Sequence, residues 1–313
     1  MDWYHYLLIA LAIIILLFFI TLYICFRLTF FSNRKKKRDE FSLPPGKVFI
    51  EHKDTIFNAI KYAKSLNPEI LSIKTFDGLT LKAKYFEYIK GAPIELMFHG
   101  YRGDSLRDLS IGIERCFKLN RNCVIVDQRA SGESEGKVIS FGINERHDCK
   151  VWVDKLIERF GDDVKIILTG ISMGASTVLM ASGSKLPKNV IGVLADCGFN
   201  KASDVIKNTV KHMHLPVFIF YPLIKLSARI FGKFNLEETS AIEEIKKTNL
   251  PIIFIHGESD KLVPHYMSEE MYKLCPTRKK LVSIKNAGHG VAYLIDPNTY
   301  LTELDNFFKD DLK

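Results

Sequence analysis

Ten residues, 168–177, decide how this chain of 313 residues is interpreted, and they read L-T-G-I-S-M-G-A-S-T. Their centre, residues 170–174, matches G-x-S-x-G, the pattern that places a nucleophilic serine on a sharp turn between a strand and a helix. The same pattern recurs at residues 132–136 as G-E-S-E-G. One chance match is expected in roughly one chain in ten of this length. The flanking sequence must therefore distinguish the two serines.

Only Ser172 has the flanks that such a turn requires. The apolar segment 164–168 before it predicts a strand, and residues 173–181 after it predict a helix whose small residues allow close packing on a sheet. Ser134 follows D-Q-R-A-S-G and lies between two glutamates, a context that predicts a polar loop. Ser172 is thus the candidate nucleophile, and Ser134 is interpreted as a chance match.

A serine hydroxyl needs a histidine to accept its proton and an acid to orient that histidine. Downstream, Asp260 follows the apolar segment 251–255 and His289 follows the segment 280–284. Both loops leave the carboxyl ends of predicted parallel strands, the same edge that carries Ser172, so the three side chains can converge there. Glu258 is an alternative to Asp260, whereas His256 lies too close to Asp260 in sequence to supply a separate base.

Two backbone amides are candidates for stabilising an oxyanion. One is the N–H of Met173, the residue after the nucleophile, and the other comes from the loop after the third predicted strand. That loop reads F-H-G-Y-R-G over residues 98–103, which makes the N–H of Tyr101 the second candidate donor. His99 is interpreted as a residue that shapes this loop.

The body of the chain predicts an α/β domain with a mostly parallel, doubly wound sheet of about eight strands. Asp77-Gly78 between two alternating segments predicts an opening hairpin. Six further short apolar segments are typical of strands covered on both faces; they lie at 94–98, 123–126, 165–168, 190–195, 251–255 and 280–284. Helices are predicted near 56–65, 106–119, 142–160, 173–184, 265–274 and 297–309. Residues 199–248 predict a helical cap that walls a substrate pocket.

The N-terminal segment predicts a membrane anchor. No charged residue occurs between Trp3 and Phe26, and the twenty apolar residues from Leu7 onward are long enough to span about 30 Å of hydrocarbon. A cleaved signal peptide would need a basic start and a small-residue cleavage site, and neither occurs here. The basic run 34–38 on the C-terminal side predicts a single-pass protein of the cell membrane with its catalytic domain in the cytoplasm.

Charge and cysteine content exclude several other functions. The net charge is +8, but five of these charges lie in the run 34–38, and the remaining +3 (8 − 5) leaves the body close to neutral. This distribution argues against nucleic-acid binding. The six cysteines have no C-x-x-C spacing, and neither H-E-x-x-H nor a P-loop pattern occurs, so we expect no metal and no cofactor. Scattered cysteines of this kind are typical of buried, reduced thiols.

Taken together, five ordered segments resemble the α/β-hydrolase superfamily, and within it the membrane-anchored serine hydrolases of the Bem46-like or serine-aminopeptidase-like (S33) group. The segments lie at 98–101, 127–134, 170–174, 257–260 and 288–290. The resemblance covers roughly residues 70–313 and implies an α/β-hydrolase fold. One departure is visible, because Ala130 stands where the family often has glycine.

The resemblance implies hydrolysis of a carboxylic ester or a related acyl substrate without a cofactor. We accordingly divide the chain into an anchor and flank (1–33), a basic and polar linker with a helix (34–69) and a hydrolase domain (70–313) with a cap at about 199–248. The expected substrate is a small-molecule ester, with lipid-like esters and thioesters included. Two alternatives remain: a serine peptidase of the prolyl or aminopeptidase type, and a catalytically silent scaffold at the membrane.

Overall fold

The structure is a computed structural model that describes residues 2–32, 41–44 and 46–312. The basic run at residues 34–38 lies outside the described residues. The strands are β1 (Glu69–Lys74), β2 (Thr80–Phe86), β3 (Ile94–Phe98), β4 (Asn122–Asp127), β5 (Ile166–Ile171), β6 (Val190–Asp196), β7 (Ile252–Gly257) and β8 (Lys279–Ile284). They form one sheet in the order β1-β2-β4-β3-β5-β6-β7-β8.

The sheet is mostly parallel, as predicted. Strand β2 runs antiparallel to both β1 and β4, and all other neighbouring strands are parallel. The β1–β2 hairpin turns at Gly78, whose φ of 84° lies in the region that favours glycine. Eight strands with this topology confirm the predicted fold class.

Helices cover both faces of the sheet. The helices are α1 (Trp3–Thr29), α2 (Lys47–Glu51), α3 (Lys53–Ser65), α4 (Ser105–Lys118), α5 (Glu145–Phe160), α6 (Met173–Ser182), α7 (Ala202–His212), α8 (Val217–Ile230), α9 (Ala241–Glu244), α10 (Tyr266–Leu274), α11 (Ala292–Ile295) and α12 (Pro297–Phe308). Ile166 and Leu168 of β5 belong to one buried cluster, whereas Ile167 between them belongs to another. Because successive side chains point to opposite faces, a strand covered on both faces is apolar along most of its length.

Helix α1 is long and apolar enough to cross a membrane, and almost none of its most apolar part is buried. Its last third differs, because Leu22, Cys25 and Phe26 are buried against the domain. The contact is made mainly with α8, whose Phe231 at the C-cap lies 5.4 Å from Tyr23 and 5.7 Å from Phe26 between ring centroids. Helix α1 therefore joins the folded domain before it ends.

Helices α7, α8 and α9 occupy the predicted cap region between β6 and β7. No residue of 199–248, all of which are described, lines the cavity beside Ser172, so the role of this region as a pocket wall stays a prediction. Helix α8 packs against α1 and α7 instead. Its place over the cavity is taken by the segment around α2, a short helix that the sequence did not predict.

Candidate functional site

Ser172 occupies the turn between β5 and α6, with φ 55° and ψ −119°. Such a backbone is strained for a residue with a side chain, and it is held in place by packing on both sides. A Cβ on Gly170 would lie 2.2 Å from the backbone of Gly174, and one on Gly174 would lie 2.0 Å from the carbonyl oxygen of Phe98. The two glycines of the pattern therefore permit the close contact of strand and helix that places Ser172 on this turn.

A chain of hydrogen bonds links the three residues selected from the sequence. The Nε2 atom of His289 lies 2.8 Å from the Oγ of Ser172, and its Nδ1 atom lies 2.6 Å from the Oδ2 of Asp260. An ionised carboxylate only accepts hydrogen bonds, so Nδ1 carries the proton and Nε2 is free to accept the serine proton. This is the tautomer that a general base requires.

The carboxylate of Asp260 is held in its ionised form. Burial alone would raise its pKa, but hydrogen bonds with His256 and His289 hold the pKa well below the usual range of an aspartate. The backbone N–H groups of Leu262 and Val263 also donate to Oδ1, each at 2.9 Å. Glu258, the alternative acid, is exposed and lies outside this network.

His256 is a contributor that sequence reasoning missed. Its fully buried Nε2 lies 2.9 Å from the carbonyl oxygen of Val263 and 3.2 Å from Oδ2 of Asp260, and both partners are acceptors. Nε2 must therefore donate, which leaves Nδ1 to accept from the hydroxyl of Ser268 at 2.7 Å. Two imidazoles thus contact one carboxylate, and the His-to-Asp spacing of four residues was the available signal.

The loop after β3 lies directly beside Ser172. A Cβ on Gly100 would sit 3.5 Å from the Cβ of Ser172, and Asp108 accepts a hydrogen bond from the Gly100 N–H at 3.2 Å. Buried His99 fixes the same loop, because its Nε2 accepts from the N–H of Gln128 and its Nδ1 lies 2.8 Å from the Gly100 carbonyl oxygen. The loop backbone is thereby fixed next to the serine.

The two candidate oxyanion donors come from the two segments next to Ser172, the loop after β3 and the start of α6. Tyr101 lines the same cavity as Ser172 and His289. Met173 is the first residue of α6, where the helix provides no partner for an N–H group. The same helix end carries a partial positive charge, which favours a negative atom in front of it.

The second serine of the G-x-S-x-G pair is structural. Ser134 is fully buried, and its Oγ accepts from the N–H of Lys82 at 2.8 Å and donates to the carbonyl oxygen of Asp127. Both contacts connect the loop to the strands β2 and β4. Its hydroxyl therefore stabilises the loop that the polar flanking residues predicted.

A cavity of about 170 Å³ opens beside Ser172. Most of its walls are apolar, and three of them, Pro44, Phe49 and Ile56, come from the segment between α1 and β1. The remaining lining residues are Gly100, Tyr101, Arg107, Asp108, Ile111, Ile171, Ser172, Leu262, His289, Gly290 and Leu294. The cavity is thus bounded in part by residues that follow α1 in the sequence.

In the described part of the chain, one group of side chains is close enough to bind a metal. Cys197, Asp260 and His289 have donor atoms within 4.8 Å of one another. The geometry favours hydrogen bonding instead, since Nδ1 of His289 already bonds to Asp260 and burial raises the pKa of the Cys197 thiol far above its usual value. A protonated thiol is a poor metal ligand.

Residues 175–292 match the family described as serine hydrolase (FSH1), a segment that includes Asp260 and His289. The chain is 25% identical over 217 residues to the protein Bem46 of Schizosaccharomyces pombe, which covers 68% of this chain and 67% of that one. It is also 27% identical over 190 residues to YqkD of Bacillus subtilis, covering 60% of this chain and 62% of its relative. The chain thus spans less than two thirds of the latter protein.

Solved structures show the same fold. The esterase Pf2001 of Pyrococcus furiosus superposes with a TM-score of 0.65 at 21% identity, covering 80% of this chain and 94% of the esterase. The acylaminoacyl peptidase of Pyrococcus horikoshii gives 0.56 at 17% identity, covering 81% of this chain and 43% of the peptidase. The chain has the α/β-hydrolase fold and is similar to the Bem46-like group of serine hydrolases.

Proposed function

We propose that this protein is a membrane-anchored serine hydrolase that cleaves carboxylic esters through an acyl-enzyme on Ser172. The observation that carries the proposal is the hydrogen-bonded chain from Ser172 through His289 to Asp260, which lies at the wall of a mostly apolar cavity. The family match and the likeness to esterases agree with it.

In the first half-reaction, Oγ of Ser172 attacks the ester carbonyl carbon while its proton passes to Nε2 of His289. The carbonyl oxygen becomes negative, and the N–H groups of Met173 and Tyr101 donate to it. Asp260 holds the imidazole in the required tautomer and stabilises its positive charge. When the carbon–oxygen bond to the alcohol breaks, the alcohol leaves with the proton from His289.

In the second half-reaction, a water molecule replaces the alcohol. His289 accepts a proton from the water as its oxygen attacks the acyl carbon, and the same two amides stabilise the second oxyanion. The bond to Ser172 then breaks, Oγ recovers the proton from His289, and the carboxylic acid is released. Every proton removed from a reactant is returned to a product or to Ser172.

The cavity favours a hydrophobic acyl group. Its volume is below the range of about 300–1,000 Å³ of typical ligand pockets, and its apolar walls include Phe49, Ile171 and Leu294. These features suit an aliphatic or aromatic ester better than an extended peptide. A thioester of the same acyl group would fit equally well.

A serine peptidase is the second enzymatic candidate, because peptidases also occur among the structures with this fold. It would use the same three residues on an amide. A silent scaffold is the third candidate, and the intact hydrogen-bonded chain at Ser172 argues against it. The alternatives separate by substrate, since only a peptidase would turn over amides of amino acids or peptides, and a scaffold would turn over neither amides nor esters.

We also propose that α1 spans the cell membrane with its C-terminal end in the cytoplasm. Arg27 lies in the last turn of α1, and the basic run 34–38 follows it in the sequence, whereas Asp2 precedes the helix. Positive residues concentrate on the cytoplasmic side of single spans. A reporter fused after residue 313 that proves active only outside the cytoplasm would overturn this orientation.

The test of the activity is a fluorophosphonate probe followed by a substrate panel. The full-length protein in detergent should be labelled on Ser172, and it should hydrolyse p-nitrophenyl esters but not the corresponding anilides. Labelling of Ser172 with preferential turnover of amino-acid anilides would support the peptidase instead. Absence of labelling together with absence of turnover, in a protein that binds detergent micelles and is folded, would support the scaffold.

A further inference from the structure

Helix α8 is apolar on both of its faces. Tyr221, Ile224 and Ala228 are buried towards the domain. The opposite face is exposed yet carries four large apolar side chains, namely Phe218 (79% exposed), Ile219 (46%), Leu226 (36%) and Ile230 (41%), with Arg229 at its C-terminal end. A helix at the surface of a soluble domain normally carries polar residues on its outer face. This outer face therefore requires a partner, and we call it the α8 face.

The α8 face continues the apolar surface of α1. Leu22 is buried, whereas residues 3–20 of α1 are exposed, so the helix leaves the domain at about this residue. At that level the exposed ring of Tyr23 contacts Phe231, the residue directly after Ile230 of the α8 face. The side chains that would enter lipid on α1 and those of the α8 face therefore lie next to each other.

Basic residues flank the α8 face at both ends. Lys211 and His212 end the preceding helix α7, and Arg229 and Lys233 lie at the C-terminal end of α8; all four are exposed. An apolar helical face with cationic ends is the pattern of helices that lie in the interface of a bilayer containing anionic lipids.

We propose that the α8 face docks into the boundary between headgroups and acyl chains of the same bilayer that α1 crosses. The proposal rests on the anchor assigned to α1, but not on the hydrolase chemistry. Docking at a second point beside α1 fixes how the catalytic domain stands on the membrane, which a single helix cannot do.

Tryptophan fluorescence in the full-length protein tests this docking. The background variant Trp3→Phe leaves Trp152, which is fully buried in the core. Phe218→Trp then reports on the α8 face, Phe19→Trp on α1, and Leu274→Trp, at the C-terminal end of α10, on an exposed apolar position outside both helices. Each variant is reconstituted in vesicles of phosphatidylcholine and phosphatidylglycerol, with and without bromine on the acyl chains.

We expect brominated lipid to quench the tryptophans at residues 218 and 19 at least twofold and to leave the one at residue 274 unchanged. Quenching at residue 19 alone, with residue 218 accessible to aqueous acrylamide, would overturn the docking while keeping the anchor. A blue shift at residue 218 that follows protein concentration and not bromination would mean that a second copy covers the face, and would also overturn it. No quenching at residue 19 would refute the anchor and the docking together, whatever the esterase assay shows.

A separate set of hydrogen bonds joins the anchor to the site itself. The hydroxyl of Tyr101 donates to the carbonyl oxygen of Thr29 at 2.6 Å, and Nη2 of Arg102 donates to the carbonyl oxygen of Leu28 at 2.7 Å. Both acceptors lie in the last turn of α1, where the carbonyl oxygens lack helical partners and a cation is stabilising. Arg102 is held at φ 52°, in the left-handed region that a non-glycine residue rarely adopts.

We infer that this contact makes Tyr101 a positioning residue through its side chain as well as a proposed oxyanion donor through its backbone. This inference rests on the proposed function. The hydroxyl fixes the tyrosine ring to α1, and the backbone N–H of the same residue has to aim at the oxyanion next to Ser172. Loss of the hydroxyl should therefore disturb the transition state more than it disturbs the fold.

The variant Tyr101→Phe should lower kcat for a p-nitrophenyl ester about ten- to a hundredfold, as small misplacements of catalytic groups do, with KM little changed. The matched control is Tyr221→Phe in α8, which loses the 2.6 Å hydrogen bond from its hydroxyl to Glu237, does not line the cavity and should keep its kcat. Equal losses of Tm in both variants with an unchanged kcat in Tyr101→Phe would show a purely structural contact. If wild type itself shows no turnover, the rate of fluorophosphonate labelling decides: a slower rate in Tyr101→Phe keeps the inference, and an equal rate refutes it.

Discussion

Two pentapeptides of this chain share the pattern G-x-S-x-G, and the structure uses them in opposite ways. At residues 170–174 the serine itself takes the left-handed conformation, and the glycines allow backbones to touch. At residues 132–136 the positive φ values fall on the glycines, 50° at Gly132 and 101° at Gly136. Ser134 is buried, whereas Ser172 faces a cavity.

The pattern G-x-S-x-G therefore constrains the backbone and does not by itself determine the chemistry of its serine. A strand before the first pentapeptide and a helix after it leave only a sharp turn, which projects the hydroxyl of Ser172 towards His289. The second pentapeptide follows β4 but begins no helix, and a Cβ on Gly132 would lie 2.2 Å from the carboxyl group of Asp127. Its glycines let the loop fold back onto β2 and β4.

The largest expected effect comes from exchanging the two serines for alanine in turn. Ser172→Ala should abolish fluorophosphonate labelling and lower ester turnover on the order of 10⁴- to 10⁶-fold, as loss of a triad nucleophile does. Ser134→Ala should label at the wild-type stoichiometry, because its Oγ has no histidine beside it. Labelling that survives in Ser172→Ala and disappears in Ser134→Ala would reverse the comparison.

A slightly smaller effect is expected at the acid. Asp260→Asn keeps the size of the side chain but lets the amide donate to Nδ1 of His289, which moves the proton to Nε2 and removes the base. Turnover should fall about 10⁴-fold. Glu258→Gln, at the exposed neighbouring acid, is the control and should stay within about twofold of wild type. If the two variants exchange their behaviour, Glu258 is the acid and Asp260 only shapes the loop.

Stability should show the opposite ranking of the two serines. Ser134→Ala leaves the N–H of Lys82 and the buried carbonyl oxygen of Asp127 without their shared partner, which should lower the free energy of unfolding by about 1–3 kcal/mol. Ser172→Ala should change it by about 0.5 kcal/mol or less, since Ser172 borders a cavity. Urea unfolding in the same detergent measures both, and equal losses would contradict the contrast.

The candidate site could be predicted from the sequence because each of its three residues follows the carboxyl end of a strand. Short apolar segments predicted β3 to β8, and parallel pairing of these strands then placed Ser172, Asp260 and His289 at one edge of the sheet. The walls of the cavity could not be predicted from the sequence. Phe49 and Ile56 lie more than 100 residues before Ser172, and no local sequence pattern indicates which part of the domain a linker packs against. Tertiary packing likewise decided that α8 contacts α1, because α8 carries large apolar side chains on its exposed face as well as on its buried face.

The smallest expected effect concerns the departure at Ala130, in the loop of the second pentapeptide. Ala130 adopts φ 62°, a conformation that costs an alanine about 1–2 kcal/mol and a glycine almost nothing. Its methyl group is fully buried, so Ala130→Gly loses about 1 kcal/mol of burial and adds freedom to the unfolded chain. These opposing terms should leave the free energy of unfolding within about 1 kcal/mol of wild type, with labelling of Ser172 unchanged. A larger gain in stability would mean that strain dominates this loop, and a change in labelling rate would mean that the loop of Ser134 reaches the site after all.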